Sequence, residues 1–195
     1  MMRTPQLIVM VKKPRPGRVK TRLGRDIGMT GAAWWFRHQT RALLRRVEDR
    51  RWQTILVVSP DTEGLSSRIW PAHLPRVAQG GGDLGARMGR LFRTLPPGPV
   101  VIVGADIPGI TRHHIARAFT ALGHNASVIG PAPDGGYWLI GLKRAATPPK
   151  TLFHHVRWST PHAMADTVTT LPGPVARVDT LRDVDTAADL ADKHE

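Results

Sequence analysis

Two hydrophobic periods alternate along this chain, and that alternation is the strongest constraint on its fold. Apolar runs of strand length occupy residues 7–11, 55–58, 100–103, 128–129 and 137–142, with patterns of helical period in most of the intervals between them. Strand and helix patterns in turn predict an α/β fold, because strands joined through crossover helices run parallel and pair side by side. The expectation is a largely parallel sheet flanked by helices. At 195 residues and 41% hydrophobic content, the chain suits one globular unit over residues 1–195 with one main core.

The helical intervals carry their own start signals and stripes. In the first, Phe36, Leu43, Leu44 and Val47 share a face, while Arg37, Arg41, Arg45 and Arg46 lie mostly away from it. This reads as a core stripe beneath a solvated face, or as a membrane-surface helix. Asp83 suits the cap of a second helix with the stripe Leu84, Met88, Leu91 and Phe92; Thr111 suits the cap of a third built on Ile115, Ala118, Phe119 and Leu122. Thr160 and Pro161 stand in the order of a helix start, and Thr186 caps a last helix with Asp189 at its third position.

Charge narrows the partners without ranking them. Lys and Arg number 28 against 15 Asp and Glu, a formal net charge of +13, which favours polyanions, anionic membranes or phosphorylated ligands. The absence of cysteine removes disulfides and thiolate metal sites. Histidine pairs at 113–114 and 154–155 invite a zinc reading, but adjacent helical residues point apart and no H-E-x-x-H spacing occurs, so zinc is not expected. The opening MMRTPQLIVMVKKP lacks the pattern of a secretory signal, and no run reaches the roughly 20 apolar residues of a membrane span. Cytoplasmic residence is the expectation.

In an open α/β sheet, ligands gather beyond the carboxyl ends of the strands. The first apolar run leads there into KKPRPGRVKTRL, residues 12–23. Pro14 and Pro16 stiffen this segment, Gly17 permits close approach, and Lys20 and Arg22 fall on one side if it is extended. Such a loop suits a diphosphate or triphosphate, or is simply a solvated basic turn. Residues 12–23 contain neither the P-loop order nor G-x-G-x-x-G. The third run ends in VVIVGAD, which sets Asp106 where a Mg²⁺-binding carboxylate is useful; the alternative is a hydrogen bond closing the GADIPG turn. QGGGDLGARM, residues 79–88, joins a glycine-rich turn to a helix start, so its N–H groups suit an anion or a base edge, or give a flexible helix entry. DGGYW carries Asp134 and reads as a site element or as a turn into the next strand.

Taken in order, KKPRPGRVKTRLG, QGGGDLGARM, VGADIPGI, GPAPDGGYWLIGL, VRWSTPHAM and DVDTAADL resemble a bacterial family of transferases with the glycosyltransferase-A-like, nucleotide-diphospho-sugar transferase fold. That family is often labelled as associated with radical-SAM or arsenosugar genes, and it is similar to small guanylyltransferases and cytidylyltransferases. The resemblance spans residues 12–190 and implies a Rossmann-like, mixed, mostly parallel sheet with a nucleotide pocket at its carboxyl edge. It implies that Lys20 and Arg22, with Gly17 beside them, hold phosphates, and that Gln79, Gly82 and Arg87 line the nucleotide side. Asp106 then binds Mg²⁺ or Mn²⁺, while Asp185 is a second metal ligand or part of the last helix cap. Asp134, Gly135, Gly136 and Tyr137 face the acceptor, with Asp134 the general-base candidate by position, and Trp158, Ser159 and Thr160 close that side. The chain departs from the family pattern in having G-A-D where many glycosyltransferases have D-x-D, and Lys13 where small residues are usual.

These readings converge on a Mg²⁺-dependent transferase that takes a nucleoside triphosphate or nucleotide sugar and a small-molecule acceptor, by nucleotidyl or glycosyl transfer. Lys20, Asp106 and Asp134 are the residues expected to carry the chemistry. The rival, drawn from charge alone, is a nucleic-acid-binding protein without catalysis, for which no zinc finger, RNP motif or helix-turn-helix signature is present.

Overall fold

A computed structural model describes residues 4–191; the expectations about the opening segment and the extent 1–195 reach past those residues. In chain order the elements are β1 (Gln6–Lys12), α1 (Thr21–Ile27), α2 (Met29–Val47), β2 (Gln53–Ser59), α3 (Asp61–Ser66), β3 (Arg76–Ala78) and α4 (Leu84–Thr94). They continue with β4 (Val100–Gly104), α5 (Arg112–His124), β5 (Ser127–Pro131), β6 (Tyr137–Leu142), α6 (Ala163–Thr170), β7 (Val175–Arg177) and α7 (Ala187–Ala191). All five apolar runs form strands. The seven strands of the described residues make one sheet in the order β3-β2-β1-β4-β6-β5-β7.

Among the described residues every strand pairing is parallel except those of β6, which runs antiparallel to β4 and β5. The connection from β5 to β6 is too short for a crossover, so the chain must turn straight back. The reversal has a functional consequence: the amino end of β6, and the DGG turn before it, lie at the edge where the parallel strands end.

Alternate residues of β1 feed two cores, as a strand covered on both faces requires. Leu7, Val9 and Val11 pack with Phe36, Leu43, Leu44 and Val47 of α2 and with Ile115, Ala118 and Leu122 of α5. Ile8 packs on the opposite face with Met88, Leu91 and Phe92 of α4. The α2 stripe is therefore core-facing. Arg46, read with its solvated face, instead donates to the carbonyls of Pro108 and Ile110 and anchors the loop after β4.

Local capping signals mark two helix starts directly. Asp83 accepts from the N–H of Ala86 at 2.8 Å, and Thr111 forms a reciprocal capping box with His114. Leu84 departs from its expected stripe and is 43% exposed, while Thr160 precedes a turn and α6 is entered through His162. The short helix α1 has no side-chain cap; Leu23 on it packs against Ala32 and Val184.

After β7 the chain forms a strap across the carboxyl edge of the sheet. Val178 donates to Ile129, Leu181 to Pro131 and Val184 to Asp106 through their backbone N–H groups, and the indole of Trp138 donates to the carbonyl of Asp179 at 2.8 Å. Val184 is buried, and Asp183 and Asp185 flank it. Both flanking carboxylates come within 3.5 Å of the Lys20 ammonium.

Candidate active site

From β1 the chain passes to β2 on one side of the sheet, and β4 joins β1 on the other, so a crevice opens at their carboxyl ends. A cleft of about 600 Å³ lies there. Its lining includes Lys20, Arg22, Gln79, Arg87, Asp106, Tyr137 and Asp185. The other expected site residues, Gly17, Gly82, Asp134, Gly135, Gly136, Trp158, Ser159 and Thr160, are not part of that lining.

Lys20 is not on an extended segment with Arg22. It takes a left-handed backbone conformation, φ 45° and ψ 50°, and opens α1, whose Gly24 N–H donates to its carbonyl. A non-glycine residue in that region carries about 1–2 kcal/mol of strain. The side chain is only 8% exposed, and Nζ lies 2.6 Å from Asp106 Oδ2, 2.7 Å from Asp185 Oδ1 and 3.5 Å from Asp183 Oδ2. Burial alone lowers an ammonium pKa, but the charges and hydrogen bonds of Asp106 and Asp185 outweigh it and hold Lys20 above the usual lysine value. Arg22 takes the outer oxygen of Asp185 at 3.1 Å.

The carboxylates respond unequally to the same neighbourhood. Burial pushes Asp183 up; the Lys20 charge opposes this, but Asp106, Asp185 and Asp134 add to it, and the result is about 6. Burial also acts on Asp185, yet its bond to Lys20 and the charges of Lys20 and Arg22 hold it below the usual carboxylate range. Three hard oxygen donors are chemically suited to Mg²⁺ or Mn²⁺, which are commonly held by one or two carboxylates with water and substrate phosphate completing the shell. As they stand, no three acidic or histidine side chains among the described residues are arranged to hold a metal ion. The donor set fits such an ion with two protein carboxylates rather than as a complete protein cage.

The opposite wall is built from the glycine-rich turn. Gln79 is buried and donates from Nε2 to the carbonyls of Val11 and Val57, tying the turn to the ends of β1 and β2. Its Oε1 accepts from Arg87 at 3.3 Å, and Arg87 also donates to the carbonyl of Gly82. Arg90 donates to the carbonyls of Gln79 and Gly81. Arginine side chains thus clamp the turn by its carbonyls, whereas the sequence suggested that its N–H groups would face a ligand; that of Gly80 is taken by Asp61.

On the third side, the DGG turn enters β6. Asp134 is exposed, and its Oδ1 accepts from the N–H of Gly136 at 2.9 Å, the turn-forming alternative read from the sequence. Gly135 has φ 84°, and a Cβ there would collide with the Pro161 backbone, so only glycine lets this turn meet the segment after Thr160. Tyr137 lines the cleft, and its hydroxyl accepts from Thr167; burial raises its pKa. Trp158 packs against Phe153 and over Gly85, while Ser159 is exposed.

Residues 42–160, more than half of the chain, match the family described as "Uncharacterized protein conserved in bacteria (DUF2064)". The chain belongs to the DUF2064 family. This DUF2064 protein is 30% identical to a candidate nucleotide-diphospho-sugar transferase of Desulfovibrio desulfuricans G20, with 98% of this chain and 88% of that one covered and a TM-score of 0.88. It shares its fold with 4-diphosphocytidyl-2C-methyl-D-erythritol synthase of Anaerococcus prevotii DSM 20548, at 14% identity, 96% and 93% coverage and a TM-score of 0.60. Rv0371c of Mycobacterium tuberculosis H37Rv, solved in complex with manganese, shares it at 16% identity, 97% coverage of both chains and a TM-score of 0.57. No curated protein matches the sequence. The fold is thus that of the nucleotide-diphospho-sugar transferases.

Asp183 in this DUF2064 chain was missed by the sequence reading, although its signal was present. DVD alternates two acids around a buried valine, a D-x-D order absent at Asp106 but present near the chain's end. Lys12 and Arg18 were not among the expected site residues. Both line the cleft and are exposed, and neither makes a side-chain ion pair among the described residues.

Proposed function

We propose that this protein transfers a nucleotidyl group from a nucleoside triphosphate to a small-molecule acceptor, with Mg²⁺ or Mn²⁺, as one domain over residues 1–195 working in the cytoplasm. The observation that carries this reading is the presence of two charge sets in one cleft. Lys12, Arg18, Arg22 and Arg87 line it together with Asp106 and Asp185. A triphosphate needs both sets: cations for its outer oxygens, and carboxylates for the divalent ion that accompanies it.

In that reading Lys12, Arg18 and Arg22, with the Gly17 bend between them, grip the two outer phosphates. An acceptor oxygen attacks the α-phosphorus, the bond from phosphorus to the bridging oxygen breaks, and these cations stabilise the charge that grows on pyrophosphate. Gln79, Gly82 and Arg87 form the nucleoside side, and Tyr137 forms part of the wall between nucleotide and acceptor. A divalent ion held by Asp106 and Asp185 would add positive charge at the α-phosphate and the leaving group. Asp134, Gly135, Gly136, Trp158, Ser159 and Thr160 form the acceptor rim; the field of Asp134 reaches Asp183, which supports that side for the rim. An acceptor phosphate arrives ionised and needs no base, whereas an acceptor hydroxyl would use Asp134.

Glycosyl transfer from a nucleotide sugar is the second reading, supported by the name of the 30%-identical relative. The leaving group separates the two. Thermal-shift screening of nucleoside triphosphates and nucleotide sugars, with and without Mg²⁺, should show stabilisation by a triphosphate that depends on the metal. Phosphorus NMR of the turnover mixture should then show pyrophosphate. Release of a nucleoside diphosphate or monophosphate would move the assignment to glycosyl transfer. Sequence-independent DNA binding with a steep salt slope, and no shift with any nucleotide, would favour the nucleic-acid-binding rival.

A further inference from the structure

Lys20 occupies the position that the divalent ion needs. Its Nζ bridges Asp106 and Asp185 at 2.6 and 2.7 Å, and Asp183 lies 3.5 Å away. Mg²⁺ requires its oxygens at about 2.0–2.1 Å, so an ion bridging those carboxylates and an ammonium in contact with the same groups repel at close range. We infer that Lys20 is the resident cation of the carboxylate pocket, and that a divalent metal enters as Lys20 moves out onto the phosphates of the incoming nucleotide. This rests on the metal and phosphate roles proposed above and adds that the two ligands exchange for one side chain.

Several observations favour exchange over permanent pairing. The ammonium is paired with two carboxylates at 2.6 and 2.7 Å, so leaving the pocket requires an anion to receive it. The cleft wall on its loop side is cationic, with Lys12, Arg18 and Arg22, so the receiving anion must come with the ligand. A lysine also suits the move, being a point charge on a flexible four-carbon stem. Arg22 holds the outer oxygen of Asp185 independently, so that carboxylate keeps a partner when Lys20 departs. Metal and phosphate then assist one another, since each is disfavoured while Lys20 stays in place.

Mn²⁺ binding, followed by the EPR signal of the free ion, tests this on the full chain and its Lys20→Met and Lys20→Arg variants, with and without inorganic pyrophosphate. Without pyrophosphate, K20M should bind Mn²⁺ at least about tenfold more tightly than the parent, and K20R should not. Pyrophosphate should raise the parent's Mn²⁺ affinity beyond what the soluble chelate explains, and K20M should lose most of that gain. Equal or weaker Mn²⁺ binding by folded K20M overturns the exchange. If Mn²⁺ and pyrophosphate both bind the parent, that result leaves the transferase reading standing; if neither binds the parent, both inferences fail. A measurement on the parent alone guards against misfolding of K20M: the Lys20 ammonium resonance in ¹⁵N-lysine-labelled protein should shift when Mg²⁺ and pyrophosphate bind together. An unmoved resonance at saturation overturns the exchange.

Discussion

The two ends of the basic stretch 12–23 carry similar charge and meet very different surroundings. At its outer end, Lys13 lies 3.4 Å from Glu63 and Arg15 contacts the same carboxylate, with Arg15 half exposed. At its inner end, Lys20 is 8% exposed and meets Asp106, Asp183 and Asp185 together. Water and salt screen the first arrangement, where an ion pair contributes about 0–1 kcal/mol. In the second, each charge depends on its partners, because an unpaired buried charge is costly. Charge count treats the two ends alike; burial and partners separate them.

The largest expected effect tests the inner end. Asp106→Ala should reduce metal-dependent kcat/KM by at least about a hundredfold in a protein whose circular dichroism is unchanged, since even outer partners of metal ligands cost 10–100-fold when lost. Near-parental turnover would remove the inner end from the chemistry. Arg22→Ala comes next: it should raise the nucleotide KM about tenfold, the scale of one charge-assisted hydrogen bond. An unchanged KM would place Arg22 with the outer end.

A pH measurement probes the cluster itself. Asp183 titrates at about 6 in the folded protein, against about 3.9 for an unperturbed aspartate. Between those values the folded chain keeps a proton that the unfolded chain has lost, so this group's contribution to stability falls as pH rises from about 4 to about 6. Asp183→Asn should flatten that slope and melt above the parent at pH 7. A lower melting temperature there would mean that attraction to Lys20 outweighs repulsion among the carboxylates. The smallest effect belongs to the outer end: Lys13→Ala and Arg15→Ala should each change stability by less than about 1 kcal/mol in urea unfolding and leave turnover unchanged. A larger change at either would erase the contrast between the two ends.

What was legible in the chain was mostly local. The apolar runs became β1, β2, β4, β5 and β6, and Asp83, Thr111 and Asp189 satisfy the helix starts they were read to mark. Strands β3 and β7 escaped because each has three half-buried or exposed residues at an edge of the sheet and carries no apolar run. Helix α1 escaped for a related reason: no cap side chain announces it, and the packing of Leu23 against Ala32 and Val184 holds it. At the cleft, Lys20, Arg22, Gln79, Arg87, Asp106 and Asp185 were named in advance, while Asp183 was overlooked beside Asp185 in the segment that enters the last helix.

The sequence by itself determined the α/β class, the positions of the main strands and the chemistry available beyond their carboxyl ends. Periodicity, proline, glycine and capping act over a few residues, so they can be read from neighbours in the chain. The tertiary structure alone decided which charges meet. Lys20 and Asp185 are separated by 165 positions and are joined because the strap after β7 recrosses the sheet edge and brings both acids of DVD to Lys20 at the start of α1. The pairing depends on the summed path of every strand and turn between them, and no local pattern encodes that sum.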